Sequence, residues 1–483
     1  MHNAFNISLL ISLVSCLCVI GCSTEDAPTL QVENAATQAD TATVFQILTS
    51  ADRSRLLEES TTLVEWTTGA QPNLPTITID PSATHQTMNG FGYTLNGGSA
   101  ILLSQMSTST RADLLQEMFG RGENESGVNY LRLSVGASDL DPEVFSYNDV
   151  PAGQTDVNLM CFSIWKEKEF LLPILEEILA IAPDIKIMGS PWSPPIWMKD
   201  NGSSIGGSLQ PQYYEVYANY LVKYVEAMAD EGVRIDALTV QNEPLYPGNN
   251  PSLLMLAEDQ KTFVRDFLGP AFASTTLGTK LIIYDHNCDK PEYPITILDD
   301  AEAKAFVDGS AFHLYDGDIS ELSTVHNAHP DKHLYFTEQY TNINGDFSGD
   351  FMWHVKNMHI GAPRNWSRNV LEWNLASDPT ASIHTPGGCT ECLGAITVDG
   401  DSIYRNAAYY AVAHSSKWVL DGSTRISSTQ PNGLNNVTYL TPFGKTVLLA
   451  INEGGSLKAF QVTVNQQTIQ LELPARTVGT YKF

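Results

Sequence analysis

Ala237-Leu238-Thr239-Val240-Gln241-Asn242-Glu243-Pro244 is an apolar, strand-like run that ends in a glutamate. Tyr335-Phe336-Thr337-Glu338-Gln339-Tyr340 repeats that form further along the chain. Working outward from this pair, eight strand-like runs alternate with helical periodicity. The strands read as 87–93, 129–135, 185–190, 237–241, 280–284, 310–314, 334–337 and 370–373. Apolar residues recur at helical spacing over 100–119, 164–181, 212–230, 257–267, 299–307, 319–328, 349–358 and 404–418. Eight alternations predict an α/β fold, a (β/α)8 barrel over 85–422, with its working face at the C-terminal ends of the strands. After about residue 423 only strands follow, at 436–440, 446–451, 458–464, 468–473 and 478–483. They predict a small antiparallel β side domain over 423–483, joined by an N-terminal strand pair within 61–84.

The remaining organisation is terminal. Residues 7–20 are apolar but too short for a membrane span. They run into Val19-Ile20-Gly21-Cys22, which resembles a bacterial lipobox. The reading is a lipoprotein signal over 1–22, with a lipid anchor on Cys22 as the one link to a membrane. It places the protein outside the cytoplasm as an outer-membrane lipoprotein, facing the surface or the periplasm. Residues 23–60 read as a tether, with one short helix near 53–59. Cys161 and Cys288 stand alone in the sequence and read as buried apolar residues, while Cys389 and Cys392 sit in a Gly-rich loop as a local staple. No second CxxC exists, which argues against a zinc knuckle.

At 483 residues with 43% apolar content, the chain can bury a large core and a small one. Its net charge of −28 repels phosphate backbones, so nucleic acid is excluded as a partner; a neutral glycan is compatible with it.

In such a barrel the residues just past each strand share one cavity. Those residues are Gly90-Phe91-Gly92-Tyr93, Arg132 with Asp139, Ser190-Pro191-Trp192-Ser193-Pro194-Pro195, Asn242-Glu243-Pro244, Asp285-His286-Asn287, His313-Leu314-Tyr315, Glu338, and Trp373-Asn374. Any one of them has an ordinary structural explanation, a core tryptophan or a structural ion pair. Their joint occurrence at successive strand ends points to sugar: aromatics stack on its apolar ring faces, and carboxylates and amides bind hydroxyls. Two carboxylates at strand ends fit retaining glycoside cleavage, in which one acts as acid/base and the other as nucleophile.

The same stretches, with Leu131-Arg132-Leu133, Trp197-Met198-Lys199-Asp200-Asn201-Gly202 and Trp373-Asn374-Leu375-Ala376, resemble glycoside hydrolase family 30. That family includes glucosylceramidases and β-1,6-glucanases. The resemblance implies Glu243 as acid/base and Glu338 as nucleophile. It further implies Asn242 on the sugar 2-hydroxyl, Arg132 and Tyr315 beside Glu338, and His313 orienting its neighbours. Asp139, Trp192 and Trp373 would form the pocket for the sugar being cleaved. Glu243 is expected to be protonated with a raised pKa and Glu338 ionised, with carboxyls about 5–5.5 Å apart. No metal or organic cofactor is needed. Tyr93-Thr94-Leu95-Asn96, Ser138, Gln339-Tyr340 and Gly387-Gly388-Cys389 depart from glucosylceramidase and look closer to the bacterial and fungal β-1,6-glucanase branch. The expected activity is hydrolysis of β-1,6-linked glucose in β-glucans, such as laminarin side branches or gentio-oligosaccharides. Glucosylceramidase, β-xylosidase and β-fucosidase are the alternatives within the family. A non-catalytic surface glycan-binding protein is the alternative outside it, though a binder has no need of both glutamates.

Overall fold

The computed structural model describes residues 41–483. The lipobox and the first part of the expected tether lie outside them. Eight parallel strands close a barrel, numbered here around it. They are β1 (Gly90–Thr94), β2 (Tyr130–Val135), β3 (Lys186–Pro191), β4 (Ala237–Thr239), β5 (Lys280–Asn287), β6 (Val307–His313), β7 (His333–Glu338) and β8 (Ser367–Asn374). Each strand pairs with the next, and β8 closes on β1. Gly92 permits the β1–β2 contact, because a Cβ there would overlap the Tyr130 carbonyl.

Period-two alternation sorts each strand between barrel interior and helical shell. Tyr130, Met188, Ala237, Ile282, Ala311, Tyr335 and Leu371, one from each of seven strands, plug the lower interior. Large residues face small ones, so the barrel floor is filled. The neighbours Leu131, Ile187, Leu238, Ile283 and Phe336 point outward into the main core under the helices. Every expected helical region contains a helix, with altered bounds. The 100–119 stretch divides into Gly97–Gln105 and Thr108–Phe119, because Ser107 leaves the helix and its side chain caps Thr110 N–H.

The side domain is a ten-stranded sheet drawn from both ends of the chain. Thr41–Ser50 pairs with both Glu58–Glu65 and the final strand Thr477–Lys482, and Thr76–Thr87 lies between Thr424–Ser428 and Lys458–Val464. Three expectations are corrected here. Residues 41–60 are not tether: Val44 and Ile47 are buried, and the segment forms strand. No helix forms near 53–59, where the chain turns, with Arg53 in left-handed conformation, into the strand Glu58–Glu65. Cys288 is buried as expected, but Cys161 is exposed in a turn held by Asp156.

One buried carboxyl beneath the barrel shell is unrelated to the strand-end cavity. Glu167 accepts a 2.6 Å hydrogen bond from Tyr147 Oη, whose ring stacks on Tyr224 at 5.6 Å. Burial pushes Glu167 up to about 8, against the bond from Tyr147. The folded state thus holds a proton that the unfolded chain releases near pH 4.5, so this group's stabilisation is full below that pH and is lost as pH rises toward 8. Glu167→Gln removes the difference. Thermal melts should show the variant gaining on its parent as pH goes from 5 to 8; a constant offset would rule the explanation out.

Candidate active site

Above the apolar floor the barrel carries a polar layer centred on Asp285. Its carboxylate accepts from Ser190 Oγ at 2.6 Å, Thr239 Oγ1 at 2.7 Å, Thr337 Oγ1 at 2.6 Å and Arg132 Nη2 at 2.9 Å. Burial raises Asp285, but Arg132 and these hydrogen bonds outweigh it and hold the carboxyl well below its usual range. Local backbone departures build this layer. Tyr284 and Asp285 are both left-handed, at φ 72° and 67°, and the β5–β6 register slips there. The slip sends Tyr284 into the shell and leaves Asp285 and His286 inside. A second slip, between β6 and β7, turns both Thr337 and Glu338 inward. Glu243 is also left-handed, at φ 44°, and its N–H donates to the Asp285 carbonyl at 2.9 Å.

Eight of the nine residues expected at the site are joined by direct contacts, and the ninth, Asp139, lines the same cleft. Arg132 is fully buried. It donates to Glu338 Oε2 at 2.5 Å, Asn242 Oδ1 at 2.7 Å and Ser190 Oγ at 3.0 Å, besides Asp285. Tyr315 Oη donates to Glu338 Oε1 at 3.0 Å. His313 Nδ1 lies 3.1 Å from Glu243 Oε1 and 3.6 Å from Glu338 Oε1, while its Nε2 meets Asp285 Oδ1 at 3.1 Å. Both carboxyls therefore approach the same imidazole nitrogen. Trp192 and Trp373 stack at 5.3 Å, and the Arg132 guanidinium lies 4.9 Å from the Trp192 ring.

The charge distribution differs from the expectation. Burial works against a charge on His313, but Glu338, Asp285 and Glu243 push it up to about 10. Burial raises Glu243, yet the hydrogen bond and charge of His313 bring it below its ordinary value. Burial also raises Glu338, and there Glu243 and Asp285 offset the pull of His313 and Arg132. The cluster therefore holds its mobile proton on the His313 Nδ1–Glu243 Oε1 axis, rather than on an isolated Glu243.

Asp139 lines the same cleft as the two glutamates. Burial, with help from Glu338, pushes it up to about 7. Its Oδ2 accepts from Cys389 N–H at 3.3 Å. Cys389 and Cys392 are disulfide-bonded, so the staple lines the cleft. A four-residue loop adds only about 2 kcal/mol by closure entropy. Replacing both cysteines with serine should therefore raise KM severalfold with little change in melting temperature. An unchanged KM would remove the staple from the site.

Asp285 and His286 are central here; from sequence they were placed at the shared strand-end cavity but given no individual role. A carboxylate at the same level as Arg132 was the available signal. Tyr246, 53% exposed at the cleft edge, carried none. Among the described residues one group offers metal-type donors close together: Glu243, His286 and His313.

Comparison with known proteins accords with this geometry. Residues 88–419 match the glycosyl hydrolase family 30 TIM-barrel domain, and 422–481 match that family's beta sandwich domain. An endo-1,6-beta-D-glucanase of Aspergillus fumigatus is 31% identical, covering 83% of this chain and 86% of that one. The mouse lysosomal acid glucosylceramidase is 28% identical over 78% and 77% of the two chains. A solved endo-beta1,6-glucanase superposes with a TM-score of 0.84 at 33% identity, covering 91% of this chain and 98% of that one. The chain belongs to glycosyl hydrolase family 30.

Proposed function

We propose that this glycoside hydrolase cleaves β-1,6-linked glucose within β-glucans by double displacement. The observation that carries the mechanism is His313 set between two glutamates, only one of which is also bound by Arg132 and Tyr315. Glu338, held by a cation and a phenol, is the nucleophile. Glu243, hydrogen-bonded only through His313, is the acid/base. It protonates the leaving oxygen while His313 Nδ1 resupplies the proton. Esterification removes the Glu338 charge, which is the largest of those supporting the His313 cation. Glu243 can then accept a proton from the attacking water. Asn242 spends its carbonyl on Arg132, which leaves its amide N–H groups for the sugar 2-hydroxyl. Trp192 and Trp373 supply the ring platform, with Asp139 as a hydroxyl ligand.

The substrate reading is supported by relatives named as endo-1,6-beta-glucanases at 31% and 33% identity. The cleft, of about 570 Å³, is lined by the two glutamates and by Tyr246, and this room beside the reacting sugar favours endo action. Product analysis on a β-1,6-glucan, a branched β-1,3/1,6-glucan and glucosylceramide tests it. Gentio-oligosaccharides from the first two are expected; release from glucosylceramide alone would overturn the substrate while leaving the chemistry. The lipobox at Cys22 supports surface or periplasmic display by a bacterium that trims laminarin-like glucans. Radiolabelled palmitate should enter the parent chain but not Cys22→Ser; equal labelling of both would dismiss the anchor.

A further inference from the structure

We propose that Glu243, His286 and His313 form a site for a zinc-type divalent cation whose binding reversibly switches the enzyme off. The three donor atoms lie within 4.8 Å of one another. Glu243 Oε1 is 3.1 Å from His313 Nδ1 and 3.8 Å from His286 Nδ1. Tetrahedral zinc, with bonds of about 2.0–2.1 Å, needs donors roughly 3.3 Å apart. The two separations from Glu243 bracket that value.

His286 supplies the independent observation. It is only 7% exposed, yet its Nδ1 has no hydrogen-bond partner and faces the Glu243 carboxylate beyond hydrogen-bonding distance. Buried ring nitrogens are ordinarily paired, so this donor is held for something that the protein does not supply. The left-handed backbone at Tyr284 and Asp285 keeps His286 inside the barrel, so the orientation is imposed by strain.

His313 is prepared in the manner of metal-binding histidines. Its far nitrogen is bonded to Asp285, giving a carboxylate–histidine–metal arrangement. Asp285 is fixed in turn by Arg132, Ser190, Thr239 and Thr337. Two imidazoles and one carboxylate suit zinc or copper(II), whereas calcium and magnesium want all-oxygen shells. Glu243 and His286 line the open cleft, which leaves a fourth position for water.

Binding displaces the proton shared by His313 Nδ1 and Glu243 Oε1 into solvent, and occupancy inhibits because the cation then holds the lone pair that Glu243 needs for proton transfer. It plays no part in hydrolysis. The proposal concerns the acid/base cluster and is independent of which glucoside is the substrate.

Calorimetric titration of the full chain with zinc chloride, in metal-free buffer, tests binding without any substrate. Rates on a chromogenic β-glucoside are followed in parallel. One zinc per chain is expected, with activity lost at saturation and restored by EDTA. His286→Ala should weaken zinc binding by roughly 100-fold and shift the inhibition midpoint by the same factor. Glu338→Ala, which removes no ligand, should still bind one zinc. Thermal melts establish that each variant is folded, and His286→Gln serves if the alanine variant is not. Absence of binding, binding without inhibition, or unchanged affinity in the His286 variants would each overturn the site. Failure on β-1,6-glucan would leave the calorimetric result untouched.

Discussion

Glu338→Ala is expected to lose hydrolysis by about 10⁴-fold or more, with the fold intact. The side chain sits at the inward slip of β7, bonded to Arg132 and Tyr315. Its removal deletes the atom that forms the glycosyl-enzyme, and neither neighbour can replace it. It also relieves Arg132 of one of two anionic partners while Asp285 remains, so the buried cation stays paired. Azide fits the space left behind and should restore turnover, yielding a glycosyl azide of inverted configuration. Substantial activity in the variant without azide would remove Glu338 as nucleophile.

Arg132 is the second large effect. Its guanidinium contacts both Asp285 and Glu338, and unlike the His313 imidazole it cannot lose its charge. Arg132→Leu takes the permanent charge away from two buried carboxylates that keep only hydroxyl donors and His313, at a cost of roughly 3 kcal/mol of stability. Activity should fall about 10³-fold at neutral pH, because Glu338 loses the charge that favours its ionised form. A nucleophile whose pKa has risen is ionised only at higher pH. The ascending limb of kcat/KM against pH should therefore move alkaline in whatever activity persists. Arg132→Lys keeps the charge, but one ammonium cannot replace a guanidinium that reaches Glu338, Asn242, Ser190 and Asp285 together. It should fall between the leucine variant and the parent. A pH profile unmoved in both variants would show that Arg132 does not tune Glu338.

How far the site could be read from sequence follows from backbone regularity. Tyr130, Arg132 and Ser134 alternate cleanly along β2, as do Met188, Ser190 and Trp192 from β3 onward, so counting in twos finds what faces the cavity. Where strands slip, counting fails. The apolar run of β5 stops at Tyr284, but the strand continues to Asn287 through a left-handed pair. Asp285 and His286 therefore carry roles that no local pattern showed. The proton distribution was equally hidden. It depends on His313 meeting Glu243, Glu338 and Asp285, residues brought together only by barrel closure.

The side domain shows the same division. Its C-terminal strands have strong alternation and tight turns, and their bounds shift by a residue or two at most. Strand Thr41–Ser50 finds partners at Glu58–Glu65 and, across nearly the whole chain, at Thr477–Lys482. Following the alanine- and threonine-rich residues before it, it reads as linker until that distant edge is supplied. Burial of Val44 and Leu48 among side chains of the C-terminal strands, rather than intrinsic propensity, fixes it as a strand.

The most direct test is to trap the intermediate. Incubation with an activated 2-deoxy-2-fluoro-β-glucoside, followed by proteolysis and peptide mass mapping, locates the covalent sugar. A single fluoroglucosyl adduct on Glu338 is the predicted result. An adduct on Glu243, or turnover with inversion and no adduct at all, would contradict the double-displacement assignment.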